Sequence, residues 1–298
     1  MLSRRRFLQL SGAALAAAPF ASIARPRFDD AFTPLRHSIG VFTQRGGTIG
    51  WMAHPEALVV VDTQMPATAK QCWSGLQTRT ESGLSLLVNT HHHGDHTGGN
   101  PVLGPKASQF VAHANVPRLQ RAAADDGATP VVANQTYTDH WERNMGGEVV
   151  QLDHYGPAHT GGDTVVFFQN ANIAHVGDLV FNRVYPFIDI DGGASITNWM
   201  TTLETLYDRF DDDTIVIHGH GHPNPSYGIT GSRDDLLAMR DFLAALYGYV
   251  ARQRQAGASL EEMQQVKQLK GFAVQAKADW PLPLDRCIAA AYREQTTA

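Results

Sequence analysis

Thr90-His91-His92-His93-Gly94-Asp95-His96-Thr97-Gly98-Gly99-Asn100 packs four histidines and a carboxylate into residues 91–96, directly after the apolar run Leu84-Ser85-Leu86-Leu87-Val88. Such a run, bounded by polar residues, reads as a buried strand. On an extended chain, residues two apart point to the same side, so His91 and His93 project together. Gly94 lets the backbone turn and present Asp95 and His96 to a neighbouring point in space. Imidazole nitrogens with carboxylate oxygens suit zinc, and iron or manganese with less preference. Burying this much polar surface beside a hydrophobic strand without a cation would be costly. That favours a metal site over a solvated polar loop.

Outward from this stretch, short β-type runs alternate with helical ones. Upstream, Arg25 to Pro34 reads as an irregular lead-in. Ile39-Gly40-Val41-Phe42, Thr48-Ile49-Gly50-Trp51 and Ala57-Leu58-Val59-Val60-Val61 read as strands, separated by the turn chemistry of Gly46-Gly47 and His54-Pro55-Glu56. Residues 66–79 place Ala69, Cys72, Trp73 and Leu76 at helical spacing. Downstream, strands are expected over 109–112, 149–152, 165–168, 173–178 and 214–217, and residues 127–148 read as irregular. Helices are expected over 115–126, 199–210, 234–255, 259–269 and 284–294. No repeat at a fixed short period is visible. Each candidate ligand sits at a strand end, a pattern that two face-to-face sheets with helices outside would satisfy. No linker divides the chain, so residues 25–298 read as one domain, with a core over about 37–225 and a helical C-terminal extension over 232–298.

The order His-x-His-x-Asp-His after a strand resembles the metallo-β-lactamase superfamily. Gly156-Pro157-Ala158-His159-Thr160-Gly161-Gly162-Asp163 resembles its next motif, and Val176-Gly177-Asp178 the position of its bridging carboxylate. Ile217-His218-Gly219-His220-Gly221 resembles its closing Pro-Gly-His-Gly, with His218 in place of proline. The resemblance covers roughly residues 37–225 and implies an α/β fold, a four-layer αββα sandwich of two mixed β-sheets with the metal site at one edge. It implies two divalent ions, zinc first, with iron or manganese as alternatives. His91, His93 and His159 would hold one ion, Asp95, His96 and His220 the other, and Asp178 would bridge them. Asp62, ending the Val-Val-Asp-Thr segment, matches a family carboxylate that accepts the other ring proton of a ligand histidine; a turn cap is its plainer reading. Asp163 is either a cap or such a partner. His218 and His222 would share a side with His220 on an extended segment, and the glycines flanking His220 select it. His92 points away from its neighbours and is left to line the pocket or carry a proton. His37, His54, His113, His140, His154 and His175 have no supporting motif and read as surface or hydrogen-bonded histidines.

The chemistry so implied is hydrolysis, with two cations sharing a water and lowering its pKa to about 7. The resulting hydroxide attacks a carbonyl or a phosphorus, and Asp95 assists the leaving group. No G-x-S-x-G is present. In the family, zinc β-lactamases commonly carry cysteine or serine where Asp178 stands, whereas glyoxalase II-like thioesterases and lactonases carry aspartate. The expectation is a dinuclear zinc hydrolase acting on an ester, thioester, lactone or β-lactam-like amide. Alternatives are a glyoxalase II-like or persulfide dioxygenase iron enzyme, and a non-catalytic periplasmic metal-binding accessory protein. Tyr185-Pro186-Phe187 with Trp199 is a candidate apolar substrate wall, with core packing the plainer reading of Trp199.

Ser3-Arg4-Arg5-Arg6-Phe7-Leu8 precedes an apolar stretch from Leu10 to Ala24. This resembles a twin-arginine export signal over residues 1–24, with the export machinery as a transient partner and the periplasm as destination. The stretch is too short and alanine-rich for a membrane span. Its removal takes away three arginines and no acids, moving the formal charge from −5 to −8. An acidic protein is a poor match for nucleic acid, which leaves a small molecule as the expected substrate. Cys72 and Cys287 belong to no CxxC pair; they form one disulfide or are buried singly, and neither is placed like a metal ligand. With 43% hydrophobic and 18% charged residues over 298 positions, the chain can build a sizeable globular core.

Overall fold

Ala57–Val61 and Leu84–Asn89 read as unbroken apolar runs because both faces of each strand are covered. Val59, Val61, Leu86 and Val88 point into one hydrophobic cluster, and Leu58, Val60, Leu84 and Leu87 into another on the opposite face. The computed structural model describes residues 31–124, 127–222, 227–273 and 282–297; the segment read as an export signal, 1–24, lies outside them. No helix among the described residues is long and apolar enough to cross a membrane.

The first sheet is β1 (Phe32–Arg36), β2 (Ile39–Phe42), β3 (Ile49–His54), β4 (Ala57–Val61), β5 (Leu84–Asn89), β6 (Gln109–His113) and β7 (Gln135–Tyr137), in that order. Its first four strands are antiparallel, and β4 to β7 run parallel. The second sheet takes up β8 (His140–Met145), β9 (Glu148–Asp153), β10 (Val165–Phe168), β11 (Ile173–His175), β13 (Ile215–Ile217) and β15 (Thr230–Gly231). It is antiparallel except for the β11–β13 pair. A short parallel pair, β12 (Phe181–Asn182) with β14 (His220–Gly221), closes the edge where the histidines gather.

The central core lies between the sheets, with Met52, Val61 and Leu86 meeting Leu152, Phe168 and Ile217. Outside the first sheet, α1 (Pro66–Leu76) buries Ala69, Cys72 and Leu76 against Trp51 and Leu87. Three short helices, α2 (Gly94–Thr97), α3 (Asn100–Leu103) and α4 (Asn115–Ala122), follow β5 and β6. Outside the second sheet, α5 (Ile196–Arg209), α6 (Asp234–Gln255), α7 (Leu260–Met263) and α8 (Leu284–Thr297) pack on Val165, Ala174 and Val216. This is a four-layer αββα sandwich of two mixed sheets. The C-terminal helices are its fourth layer, since Phe242, Leu246 and Ile288 share one buried cluster with Trp199.

Several local readings change. Residues 135–137 and 140–145 are strands, not irregular, and they carry the chain from one sheet to the other. β8 alternates exposed charge with Trp141 and Met145 in the core, a weak period-2 signal in a run as polar as His-Trp-Glu-Arg-Asn-Met. β1 begins within the expected lead-in, and the helical segment over 259–269 shortens to Leu260–Met263, capped by Ser259 and Glu262. Cys72 and Cys287 are both free and buried in clusters on opposite sides of the sandwich, so they do not pair.

His113 and His154 stack face to face with centroids 3.8 Å apart, beside Tyr137. Burial, then the neighbouring His154, lowers His113 to about 4 against the opposing pull of Asp139, and burial likewise lowers His154. Both are therefore neutral in the fold but titrate near 6.5 once unfolded. Between those values the unfolded chain binds more protons, so stability falls as pH drops from about 6.5 towards 4. Thermal melts across this range should show that decline, and His113→Asn should flatten it. An unchanged slope in the variant would place the acid sensitivity elsewhere.

Candidate metal centre

Parallel pairing brings the ends of β4 and β5 side by side, and the site is assembled there. Asp62 follows β4 with φ 65°, a left-handed conformation that aspartate tolerates, which turns its carboxylate toward the end of β5. It accepts the Thr90 amide at 2.8 Å, the Thr90 hydroxyl at 2.7 Å and His96 Nδ1–H at 2.7 Å. With its proton committed to Asp62, Thr90 Oγ1 accepts from His91 Nδ1 at 3.0 Å. One buried carboxylate thus orients His96 directly and His91 through Thr90.

Those bonds settle which ring nitrogens are bare. His91 presents Nε2, and His159 presents Nε2 because its Nδ1–H donates to Phe187 O at 2.7 Å. His93 presents Nδ1 because its Nε2–H donates to Asp189 at 2.9 Å. The three bare nitrogens face one another, with His93 Nδ1 at 3.1 Å from His91 Nε2 and 3.0 Å from His159 Nε2. Asp178 Oδ2 lies 3.7 Å from His91 Nε2 and 3.5 Å from His159 Nε2. Burial drives His91 well below its ordinary value and His159 to about 3, so both keep their lone pairs.

A second group adjoins the first. His96 Nε2 is 3.0 Å from Asp178 Oδ1, 3.3 Å from His220 Nε2 and 3.8 Å from Asp95 Oδ2. His220 Nε2 is 3.0 Å from Asp95 Oδ2 and 3.5 Å from Asp178 Oδ2. Burial opposes charge on His220, but Asp178 and Asp95 outweigh it and raise the ring to about 9. Burial also opposes charge on Asp95, yet His96 and His220 hold its carboxyl at about 2. The ligand atoms of His91, His93, His159 and Asp178 lie within 4.8 Å of one another, as do those of Asp95, His96 and His220. All seven residues named from the sequence fall in these two adjoining groups, and Asp178 touches both. In the first group the converging nitrogens are bare, and in the second Asp178 and Asp95 favour a proton on His96 and His220 that a cation would displace; both are donor sets that divalent cations complete. The residues fit such ions.

The remaining histidines sort by contact. His218 is buried with Nε2 3.4 Å from Asp235, and His175 hydrogen-bonds Thr48 O at 3.1 Å. Neither they nor His222 join the two groups. His92 turns to Asp189, its Nε2 at 3.2 Å from Oδ2. Asp163 caps its own turn, accepting Thr160 N at 2.8 Å and Oγ1 at 2.7 Å, and burial raises it to about 7.

Asp189 is the residue the sequence reading missed. It lies in Phe187-Ile188-Asp189-Ile190-Asp191, where an acid between two isoleucines was the available signal. It holds His92 and His93 on one oxygen and the Gly192 amide at 2.9 Å on the other. Burial would raise its pKa, but the hydrogen bonds from His92 and His93 draw it well below the usual carboxylate range. Of the aromatic wall, Phe187 lines the cavity over the centre, together with Phe181 and Leu282. Tyr185 and Trp199 are core instead; Trp199 donates Nε1–H to Leu179 O beneath His159.

Gly219 sits where a Cβ would lie 2.0 Å from Asp178 Oδ1, so only glycine admits the carboxylate. Gly219→Ala should displace Asp178 and cost roughly 10–100-fold in metal affinity, the scale for losing a group that orients a ligand. Competition titration against a chelator reads this, and unchanged affinity would remove Gly219 from the argument.

The sequence profile of the metallo-beta-lactamase superfamily matches residues 42–220. Over 166 residues the chain is 30% identical to the 2,4-dinitroanisole O-demethylase subunit alpha of Nocardioides sp., covering 55% of this chain and 49% of that protein. It is 23% identical over 203 residues to the type 2 metallo-beta-lactamase of Bacteroides fragilis, covering 65% and 80% respectively. Among solved structures, the sec-alkylsulfatase Pisa1 from Pseudomonas sp. superposes with TM-score 0.70 at 15% identity, covering 88% of this chain and 50% of that one. A metallo-beta-lactamase from Pontibacter korlensis superposes with TM-score 0.61 at 18% identity, covering 72% and 98%. The chain spans about half the length of the demethylase subunit and of the alkylsulfatase. Taken with the αββα sandwich and the ordered ligand motifs, the profile match over more than half its length means that this chain belongs to the metallo-β-lactamase superfamily.

Proposed function

We propose that the protein is a metal-dependent hydrolase with a dinuclear centre, zinc by preference, acting on a small molecule with an ester, thioester, lactone or related acyl bond. The observation that carries this reading is Asp178, one buried carboxylate in contact with the nitrogens of both ligand groups. A carboxylate between two cations offsets their mutual repulsion. Bound divalent cations supply Lewis acidity and bring the pKa of a water down to about 7. The chain's own residues do the rest. Asp62, Asp189 and Phe187 O fix three ligand rings, so the centre is organised before substrate arrives. Asp95, with its side chain 40% exposed, is the ionised group placed to exchange a proton with solvent or a leaving group. Phe181, Phe187 and Leu282 exclude water from one side of a cavity of about 520 Å³.

The relatives are named for lactam, sulfate-ester and aryl-ether substrates, so membership alone does not choose among acyl substrates. The amino-terminal twin-arginine stretch supports export of the folded, metal-loaded chain to the periplasm. Elemental analysis of the purified protein, paired with chromogenic ester, thioester, lactone and lactam substrates with and without chelator, tests the proposal. About two zinc per chain with chelator-sensitive turnover supports it. Metal-loaded protein without turnover would favour a binding role, and iron with oxygen uptake an oxygenase.

A further inference from the structure

The geometry points to uncharged, apolar substrates for this pocket, in preference to anionic ones. The inference rests on the hydrolase reading and narrows it. It comes from counting charge around the centre. Among the described residues four carboxylates stand in contact with ligand nitrogens: Asp62 at 2.7 Å and Asp178 at 3.0 Å from His96, Asp95 at 3.0 Å from His220, and Asp189 at 2.9 Å from His93. Their formal sum is −4. One divalent cation leaves −2 and two leave zero, so neither loading gives the centre a net positive charge to hold an anion. Asp189 decides this, because without it a two-metal centre would carry +1.

The cavity wall points the same way. Among the described residues its polar lining is the carboxylates of Asp95 and Asp178 and the rings of His93 and His220, with no lysine or arginine, and Phe181, Phe187 and Leu282 supply apolar surface. Phe187 is 37% exposed and packs 5.2 Å from the His93 ring, so it meets whatever occupies the cavity. A remote carboxylate on a substrate would lose hydration against this wall and meet no lysine or arginine among the described lining residues to offset that loss. Neutral esters and lactones with alkyl or aryl bodies fit. Substrates recognised through a carboxylate or sulfate do not.

Two matched pairs test this. The first is 4-nitrophenyl hexanoate against 4-nitrophenyl hydrogen adipate, alike in length and leaving group, with the zinc-loaded protein. The neutral ester should show a kcat/KM at least about tenfold higher, and Phe187→Arg should narrow or reverse that ratio. The second pair cannot react: 2-heptanone against 6-oxoheptanoate, with binding measured by calorimetry on metal-free and zinc-loaded protein. The neutral ketone should bind about tenfold tighter in both. Equal or faster turnover of the adipate ester, or equal or tighter binding of oxoheptanoate, would overturn the inference while leaving hydrolysis intact. A ketone preference without chelator-sensitive turnover of either ester would leave the pocket's preference for neutral ligands standing and count against the hydrolase reading.

Discussion

Asp178→Ala should empty the centre of at least one metal and lower chelator-sensitive turnover by on the order of 10³-fold. A bound cation contributes several kcal/mol to the transition state, and each 1.36 kcal/mol is about a factor of ten. Asp178 touches His91, His96, His159 and His220, so its removal weakens both groups together. Metal content and kcat should therefore fall together, and Asp178→Asn should recover the fold but not the metal. Full zinc occupancy in Asp178→Ala would mean that the two groups bind independently of the shared carboxylate.

Asp62→Ala is the second large effect, and it acts without reaching the cavity. Asp62 is fully buried, and its loss strands the Thr90 amide and the His96 ring proton, each worth about 1–3 kcal/mol when left without an acceptor. Breaking a buried charged contact costs about 3–5 kcal/mol. A clear drop in Tm is expected, together with roughly 10–100-fold weaker metal binding. Because Thr90 relays the same carboxylate to His91, both metals should be affected. Asp62→Asn keeps a side chain suited to φ 65° and so separates the backbone contribution from that of the charge. Loss of the metal beside His96 alone would argue against the relay through Thr90.

The centre was legible in the sequence where chemistry is concentrated. His91, His93, Asp95 and His96 crowd a single turn, Asp178 and His220 each follow a strand beside glycine, and His159 lies between Gly156 and Gly161. The sandwich was legible because fully covered strands such as β4 and β5 leave unbroken apolar runs. Three features escaped for physical reasons. β8 is too polar to look like a strand, because its exposed face carries His140, Glu142 and Asn144. Asp189 lies 96 residues from the His93 it orients, and local pattern says nothing about such a pairing. The outer layer formed by α6 and α8 read as an appendage, because amphipathic helices show which face is buried but not what they cover.

Phe187 divides two duties between separate atoms, its carbonyl steadying His159 and its ring facing the cavity. Two residues on, Asp189 steadies His93, so the length of this loop is tied to the geometry of the metal site while the side chain at 187 is not. Evolution or an engineer can therefore exchange that ring to admit a bulkier or more polar guest and leave the catalytic apparatus in place. Inserting or deleting even one residue between Phe187 and Asp189 would throw both histidines out of alignment at once.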